Sequence, residues 1–364
     1  MLSISNIMQT VLRRCHAAGS FSGNHAVLSQ GLNRELSYVG TVGMSALPNF
    51  KEIIARSPVV FTIGVAGDSG SGKTTFTNAI RQIFGQDLVA TITLDDYHSY
   101  DREKRKQLDI TPLDPAANNI AQLESDIARL KAGETIQKPV YNHTMGQFDA
   151  PVTFAPSRIL ILEGLHTLFT PRLRDLMDFS IFVDPEKAVK YEWKRSRDMG
   201  RRGYSAAEVD IEIIRRERDY KAFIAPQRCD ADAVIQVRHS KYGTELGHSR
   251  NIYQISLLQN RMKQAISDID LTIDLQSLLS FHDRDFLIEF STQEVACALM
   301  RALTFDGEMN YETIRKLEKT IEHQTGVHPI AMFENRETVA ATDIVQLILS
   351  WRIIQRRIFM QERE

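Results

Sequence analysis

Short, nearly continuous apolar runs alternate along this chain with longer stretches in which apolar residues recur at helical spacing. The run Ile159 to Leu162 is apolar at every position, which indicates a strand that is buried on both faces of a sheet. Predicted strands cover residues 59–65, 88–94, 158–162, 179–183 and 233–237, and predicted helices cover 74–84, 120–131, 185–199 and 206–222. This alternation predicts an α/β fold with a mainly parallel sheet and helices on both faces.

From about residue 241 the pattern changes to shorter strands and longer helices. Predicted strands there cover residues 252–258, 271–274 and 286–290, and predicted helices cover 292–303, 310–323 and 337–358. We therefore expect a poorly ordered N-terminal extension at 1–50, an α/β domain that carries the chemistry at 51–240, and a smaller α+β region at 241–364. Because none of the clusters described below falls in the last region, we expect it to be accessory or to mediate oligomerisation.

The bulk composition of the 364 residues excludes several classes of protein. With 44 basic residues, 46 acidic residues and a net charge of -2, the chain has no general attraction for nucleic acid or anionic membranes. Its apolar runs are well short of the roughly 20 residues that span a bilayer. Cys15, Cys229 and Cys297 lack metal-ligand or CxxC spacing, so we expect no disulfide framework. The N-terminal stretch is loosely like a transit peptide, and a start at Met44 is the alternative that we favour.

Residues 67–74 match the phosphate-binding pattern G-x-x-x-x-G-K-[ST] and lie between a predicted strand and a predicted helix. In that context successive backbone N–H groups and the positive end of the helix dipole converge on one point, which suits a polyphosphate. Lys73 would reach the terminal phosphates, and the Thr74 hydroxyl would ligate Mg²⁺. The predicted nucleotide-binding residues are Gly67, Asp68, Ser69, Gly70, Ser71, Gly72, Lys73, Thr74 and Thr75. The sequence therefore predicts a P-loop NTPase-type fold that binds a nucleoside triphosphate.

Acidic residues follow two of the other predicted strands. Asp95 directly follows the second strand, with His98 and Arg102 close behind it, so a proton acceptor and two phosphate-binding groups would lie beside the phosphate loop. The alternative is an acidic loop that caps a helix. Glu163 ends the third strand, at the Walker B position that orients Mg²⁺. Gly164 next to it allows close approach of the backbone.

Basic residues cluster towards the end of the helix predicted at 185–199. Lys194, Arg197, Asp198 and Arg201 recur at helical spacing and share one face. Such a cluster forms either a solvated surface or an anion clamp and lid, and the glycines at 200 and 203 favour the lid. A hairpin-like excursion at 138–151 carries Tyr141 and His143, which are placed to recognise an acceptor, although a plain surface hairpin is the alternative.

Several short sequence motifs in residues 59–240, taken together, resemble those of the phosphoribulokinase and uridine kinase family of P-loop kinases, and within it those of the phosphoribulokinases. These motifs lie at residues 67–76, 94–98, 113–118, 138–143, 163–166, 197–199 and 226–228. Uridine kinases tend to carry Tyr-Asp-Phe where this chain has Tyr141-Asn142-His143. The resemblance implies a P-loop kinase that uses ATP and Mg²⁺ to phosphorylate ribulose 5-phosphate.

The resemblance also implies roles for single residues. Asp95 would be the base, with Lys73 and Arg197 as further catalytic residues, and Thr74, Glu163 and Asp198 would lie at the metal. Substrate contacts would come from His98, Arg102, Tyr141, His143, His166, Lys194 and Arg202.

The chain departs from the photosynthetic eukaryotic and cyanobacterial members in two ways. They carry a regulatory cysteine in the phosphate loop, where this chain has Ser71, and no cysteine lies between residues 16 and 228. We therefore expect no thioredoxin-type redox control. The C-terminal region is unlike the plant form and the whole is more similar to archaeal phosphoribulokinases, which implies a cytoplasmic homodimer that serves carbon fixation, with no nucleic-acid or membrane partner.

Two other hypotheses stay open at this point. The chain could be a uridine, cytidine or pantothenate kinase on the same scaffold, although a neutral nucleoside does not need the second cation cluster that His98 and Arg102 supply. It could also be a non-catalytic P-loop regulator, which would not require the acceptor-side residues 95–102.

Overall fold

The computed structural model describes residues 54–242, 252–259, 286–295, 298–325 and 336–361, which all fall in one compact unit, Leu47–Glu364. The strands are β1 (Phe61–Gly67), β2 (Val89–Thr93), β3 (Ile136–Asn142), β4 (Gln147–Phe154), β5 (Ile159–Gly164), β6 (Phe179–Pro185), β7 (Ala233–His239), β8 (Tyr253–Gln259), β9 (Phe286–Val295), β10 (Ala298–Asn310) and β11 (Thr338–Ala340). The α-helices are α1 (Lys73–Phe84), α2 (Arg102–Gln107), α3 (Ile120–Lys131), α4 (Pro171–Leu176), α5 (Lys187–Arg202), α6 (Ala206–Asp219), α7 (Tyr311–Thr325) and α8 (Ala341–Gln361).

Nine of the described strands form one sheet in the order β11-β10-β8-β7-β6-β1-β5-β2, with β9 paired to β10. The strands β2, β5, β1, β6 and β7 run parallel, and β8 pairs antiparallel with β7. The hairpin of β3 and β4 forms a separate two-stranded sheet. The predicted α/β fold is therefore confirmed, with β1 and its phosphate loop in the middle of the parallel strands.

The continuous apolar strands are explained by helices that cover both faces of the sheet. In β5, Ile161 belongs to a core cluster with side chains of α1 and α8. Its neighbours Leu160 and Leu162 belong to a cluster on the other face, with side chains of α3 and α4. Since successive side chains of a strand point to opposite faces, a strand covered on both sides needs apolar residues at every position.

The helix predicted at 292–303 is wrong. Residues 292–295 belong to β9 and residues 298–303 to β10, which pair antiparallel, and β10 also pairs with β8. Met300 and Ala302 are buried whereas Leu299 is exposed, which is the two-residue alternation of a strand. Ala, Leu and Met favour a helix by intrinsic propensity, but the backbone hydrogen bonds that β8 offers override that preference. The strand predicted at 271–274 lies outside the described residues.

The last two predicted helices are confirmed as α7 and α8, and the short strand β11 precedes α8. The strands β7 and β8 pair across the boundary that we expected at residue 240, so one sheet contains strands from both regions. No helix of the described residues is long and apolar enough to cross a bilayer.

Cys229 bears on the expectation that the cysteines form no disulfide framework. It is disulfide-bonded. The expectation rested on distance along the chain, which does not limit distance in space.

Candidate active site

A cavity of about 1210 Å³ opens where β1, β2 and β5 end. Most of the predicted site residues line it, although they come from separate parts of the chain. They are Ser69, Gly70, Ser71, Gly72, Lys73, Thr74, Thr75, Asp95, His98, Arg102, Tyr141, His143, Glu163, Lys194, Arg197 and Asp198. The carboxyl ends of parallel strands therefore bring the phosphate loop, the strand-end acids and the basic helix to one cleft, as expected for this class of sheet.

The phosphate loop leaves β1 at Gly67 and enters α1 at Lys73. A side chain at Gly67 would place its Cβ 2.6 Å from the Val183 carbonyl oxygen, and the φ angle of Gly67 is +148°. Gly72 precedes the helix with a φ angle of +88°. Both positions therefore require glycine, because a side chain would collide with the backbone of β6 or strain the turn into α1.

Lys73 is held against its own loop. Its ammonium group donates hydrogen bonds to the carbonyl oxygens of Gly67 at 3.1 Å and Asp68 at 2.6 Å. Burial lowers the pKa of Lys73, and the carboxylates of Glu163, Asp68 and Asp95 oppose that shift. The Lys73 ammonium therefore lies within electrostatic reach of both strand-end acids.

Thr74 and Glu163 meet at the mouth of the loop. The Thr74 hydroxyl donates a hydrogen bond to Glu163 Oε1 at 2.7 Å. One hydroxyl and one carboxylate fit Mg²⁺, because kinase sites hold this ion by few protein oxygens together with substrate phosphates and water. No group of three or more His, Cys, Asp or Glu side chains that could hold a metal occurs in the described part of the chain. The third predicted ligand, Asp198, lies on α5, where Oδ1 accepts a hydrogen bond from Arg197 Nε at 2.9 Å.

Asp95 lies between two histidines. His143 Nε2 is 3.4 Å from Asp95 Oδ2, and His98 Nε2 is 4.0 Å from Asp95 Oδ1. His98 Nδ1 lies 2.8 Å from Asn118 Oδ1, while the Asn118 amide nitrogen donates to two backbone carbonyls, so His98 Nδ1 is the protonated ring nitrogen. Burial lowers the pKa of His98, which favours the neutral ring. His98 Nε2 therefore keeps a lone pair that can accept a hydrogen bond from a ligand hydroxyl.

The turn of the β3–β4 hairpin packs against the start of α2. The Arg102 backbone N–H donates to the Gly146 carbonyl at 2.8 Å, and its guanidinium donates to the His143 carbonyl. The Tyr141 ring makes edge contacts with the His98 ring at 4.9 Å and the His143 ring at 5.2 Å. The hairpin predicted at 138–151 is confirmed, and its contacts hold both histidines in place. Arg102 is solvent-exposed where it lines the cavity.

The basic face of α5 lies over the phosphate loop. Arg197 Nη2 donates to Ser69 Oγ at 3.2 Å, and a Cβ on Gly70 would lie 3.3 Å from Lys194 Cβ. Lys194 is buried, and burial together with the neighbouring Arg216 lowers its pKa to about 8. Arg195 points away, to Asp210 on α6. The sequence allowed this cluster to be either an anion clamp or a solvated surface. In the structure, one face of α5 lies over the phosphate loop and another is solvated. The side chains at 201 and 202, including Arg202, lie outside the described residues.

His166 does not join the site. Its side chain is only 2% exposed, and Nε2 makes a 2.9 Å hydrogen bond to the Leu113 carbonyl oxygen. Burial lowers the pKa of His166 to about 4, so the ring is neutral at physiological pH. We therefore withdraw His166 from the predicted substrate contacts. The residue follows a strand like the others, but its side chain turns into the protein interior.

Sequence reasoning missed two basic residues that support the site. Lys190 pairs with Asp68 of the phosphate loop at 2.9 Å, and it lies one helical turn before Lys194, so the periodicity of α5 could have revealed it. Arg105 is buried beside the cavity and donates to the Tyr141 hydroxyl at 2.7 Å. No sequence signal indicates that contact, because the hairpin that carries Tyr141 follows much later in the chain.

A phosphate loop that opens a helix, a cationic helix above it and a carboxylate at a neighbouring strand end define the class of P-loop kinases. The sequence profile of the Phosphoribulokinase / Uridine kinase family matches residues 62–242. The chain is also 34% identical over 191 residues to a uridine kinase from Chlamydia pneumoniae and covers 83% of that protein. The chain therefore belongs to the phosphoribulokinase / uridine kinase family.

Among the curated relatives, a phosphoribulokinase from Synechocystis sp. is 45% identical over 178 residues, which cover 49% of this chain and 54% of the relative. The chain thus spans about half the length of the curated phosphoribulokinases that it matches. The solved phosphoribulokinase from Rhodobacter spheroides aligns with a TM-score of 0.50 and 18% identity, over 82% of this chain and 99% of that chain. At that identity the match supports the fold alone.

Proposed function

We propose that this protein is an ATP- and Mg²⁺-dependent phosphoribulokinase, which converts D-ribulose 5-phosphate to ribulose 1,5-bisphosphate and releases ADP. The proposal rests on one observation: Asp95 lies in the cavity between His98 and His143. We call this part of the cavity the acceptor side. The identity to relatives supports the same choice, since it is 45% with the Synechocystis phosphoribulokinase and 34% with the uridine kinase.

The charge of the cavity wall favours an acceptor that carries a phosphate. Arg102, Arg105 and Lys106 of α2 line the cavity on the same side as Asp95, and Arg215 and Arg216 of α6 line it as well. Arg215 and Arg216 already pair with Asp109 and Glu212, whereas a neutral nucleoside would offer no anion to the three cations of α2. A sugar phosphate would place its phosphate among them, because guanidinium groups bind phosphate oxygens in a bidentate manner.

Asp95 is the proposed base of the reaction. Its carboxylate accepts the proton of the sugar C1 hydroxyl as that oxygen bonds to the γ-phosphorus, and the bond from that phosphorus to the bridging oxygen breaks towards ADP. The neutral His98 accepts a hydrogen bond from a second sugar hydroxyl through Nε2, and His143 holds Asp95 in place. Tyr141 positions both histidines through its ring, because its hydroxyl is already bonded to Arg105.

The phosphates of ATP occupy the phosphate loop in this proposal. Lys73, Lys194 and Arg197 neutralise the charge that develops on the transferred group, with Arg202 as a further contact. The residues that would hold Mg²⁺ are Thr74 and Glu163, with Asp198 as a third ligand. When bound, the ion would polarise the phosphate oxygens.

We further propose a cytoplasmic homodimer in which residues 241–364 serve as the accessory or oligomerisation region. Thioredoxin-type control of the phosphate loop is not part of the proposal, because residue 71 is serine and the sequence holds no cysteine between residues 16 and 228. Mass photometry of the purified full chain measures the oligomeric state, and a monomer would contradict the dimer.

A coupled assay of ADP release tests the proposed activity. The full chain is given ATP and Mg²⁺ with ribulose 5-phosphate, uridine, cytidine, pantothenate or no acceptor. We expect ADP release with ribulose 5-phosphate alone, and a product that mass spectrometry identifies as the bisphosphate. Turnover with uridine, cytidine or pantothenate instead would support another kinase of the same scaffold. Nucleotide binding without turnover on any acceptor would favour the regulator.

A further inference from the structure

Trp193 lies on α5, one helical turn before Arg197, and lines the cavity. A Cβ on Gly72 would lie 2.9 Å from Trp193 Cζ3 and 3.5 Å from Cη2. The six-membered ring of the indole therefore lies over the last glycine of the phosphate loop, where α1 begins. No part of the proposed phosphoryl transfer uses this side chain.

Contacts with Tyr253 of β8 fix the orientation of the indole. Its N–H donates a 2.7 Å hydrogen bond to the Tyr253 hydroxyl, and the two rings meet edge to face at 5.1 Å and 84°. The polar atom of the indole is therefore satisfied by the protein. The part of the ring system that lines the cavity is apolar, which suits a flat apolar or aromatic ligand group.

The sheet order places Trp193 and Asp95 on opposite sides of the phosphate loop. Asp95 follows β2, at one edge of the sheet, whereas Trp193 contacts β8, which lies on the other side of β1. A nucleoside triphosphate with its terminal phosphate facing Asp95 therefore has its nucleoside at the other end of the loop. The indole, which contacts β8 and lies over Gly72, is available on that side of the loop.

We propose that Trp193 stacks on the base of the bound nucleoside triphosphate. This inference rests on the proposed nucleotide binding but not on the identity of the acceptor. Stacking on an aromatic side chain tolerates different bases, because every base has a flat π-face. The rival role for Trp193 is purely structural: an apolar wedge between α5 and the phosphate loop.

The protein offers an internal reporter for this contact. Its two tryptophans are Trp193 and Trp351, and Trp351 is 1% exposed in the core. The W351F variant therefore leaves Trp193 as the single source of indole fluorescence. We titrate it without any acceptor, using ATP or inorganic tripolyphosphate, which carries the phosphates but no base. We expect ATP to change the emission and tripolyphosphate to leave it nearly constant. Equal emission changes with both ligands, or ATP binding seen by calorimetry without an emission change, would overturn the proposal.

Substitution of Trp193 separates the two roles. Calorimetry of W193A should show ATP affinity reduced about tenfold, as expected for the loss of one base–aromatic stack. Tripolyphosphate affinity should be unchanged, and W193F should bind ATP nearly as well as the parent because its ring still stacks. Equal weakening of ATP and tripolyphosphate in W193A would assign the indole to the structural role. Because no acceptor is present, these results do not depend on whether ribulose 5-phosphate is the substrate.

Discussion

Replacing Asp95 with asparagine removes the proposed base while it preserves the shape of the side chain. The carboxylate is one third exposed, at 33%, and His143 Nε2 lies 3.4 Å away, so an amide fits the same space. An asparagine cannot take up the proton of the attacking hydroxyl. We therefore expect kcat to fall by about 10² to 10⁴, the range for loss of a general base. This fall corresponds to about 3 to 5.5 kcal/mol in the activation free energy.

The same structure predicts that ATP binding survives the substitution. Asp95 is not part of the phosphate loop, and the ammonium of Lys73 is held by two backbone carbonyls of that loop. The KM for ATP in the coupled ADP-release assay should therefore stay close to that of the parent protein. The expected result is a loss confined to kcat.

Asp96 supplies a matched control. It is the neighbouring carboxylate, but its oxygens accept hydrogen bonds from the Lys138 ammonium and the Tyr141 backbone N–H. D96N should therefore loosen the β3–β4 hairpin and lower the melting temperature more than D95N does. If D95N keeps nearly full kcat, or if it loses ATP binding as severely as turnover, the assignment of Asp95 as the base is refuted.

Three further predictions concern stability and nucleotide binding. In D178A the Lys131 ammonium and the Thr62 donors lose the carboxylate that they share, so urea denaturation should show a loss of about 3 to 5 kcal/mol; a change within experimental error would contradict this. In G67A the new Cβ would lie 2.6 Å from a backbone oxygen of β6, so calorimetry should detect no ATP binding even if the variant folds, and normal affinity would contradict the proposed need for glycine. Lys194 has a pKa lowered to about 8 and is protonated below that pH, so ATP affinity should decline as the pH rises through 8, whereas K194R should bind ATP with little pH dependence in the same range. A wild-type profile that is flat between pH 7 and 9 would contradict the role of Lys194.

Features that depend on neighbouring residues in the chain were predicted well. The phosphate loop, the strand before it and the helix after it are contiguous, so the pattern at 67–74 already indicates their arrangement. The helix predicted at 120–131 has the same bounds as α3, because its apolar residues recur at helical spacing and Asn119 caps its N-terminus. In these segments the conformation that neighbouring residues favour is the same as the one in the folded protein.

Features that depend on which segments meet in space were not predictable in the same way. Residues 292–295 and 298–303 have a helix-forming composition but form strands, because neighbouring strands supply hydrogen-bond partners. Glu163 lies at the end of β5 and His166 follows that strand, yet the imidazole of His166 bonds to a buried carbonyl whereas the carboxylate of Glu163 reaches Thr74. Cys229 is disulfide-bonded, which the spacing of the cysteines along the chain did not indicate.

The sequence by itself determined the α/β class, the position of the phosphate loop and the strand ends at which acidic residues occur, because each of these follows from periodicity and spacing over a few neighbouring residues. Only the tertiary structure decided that His143 reaches Asp95 from the β3–β4 hairpin and that α5 covers the phosphate loop with Trp193 and Arg197. The physical reason is that these contacts join segments whose approach depends on how the whole sheet and its helices pack. Their energies therefore arise only when the chain has folded.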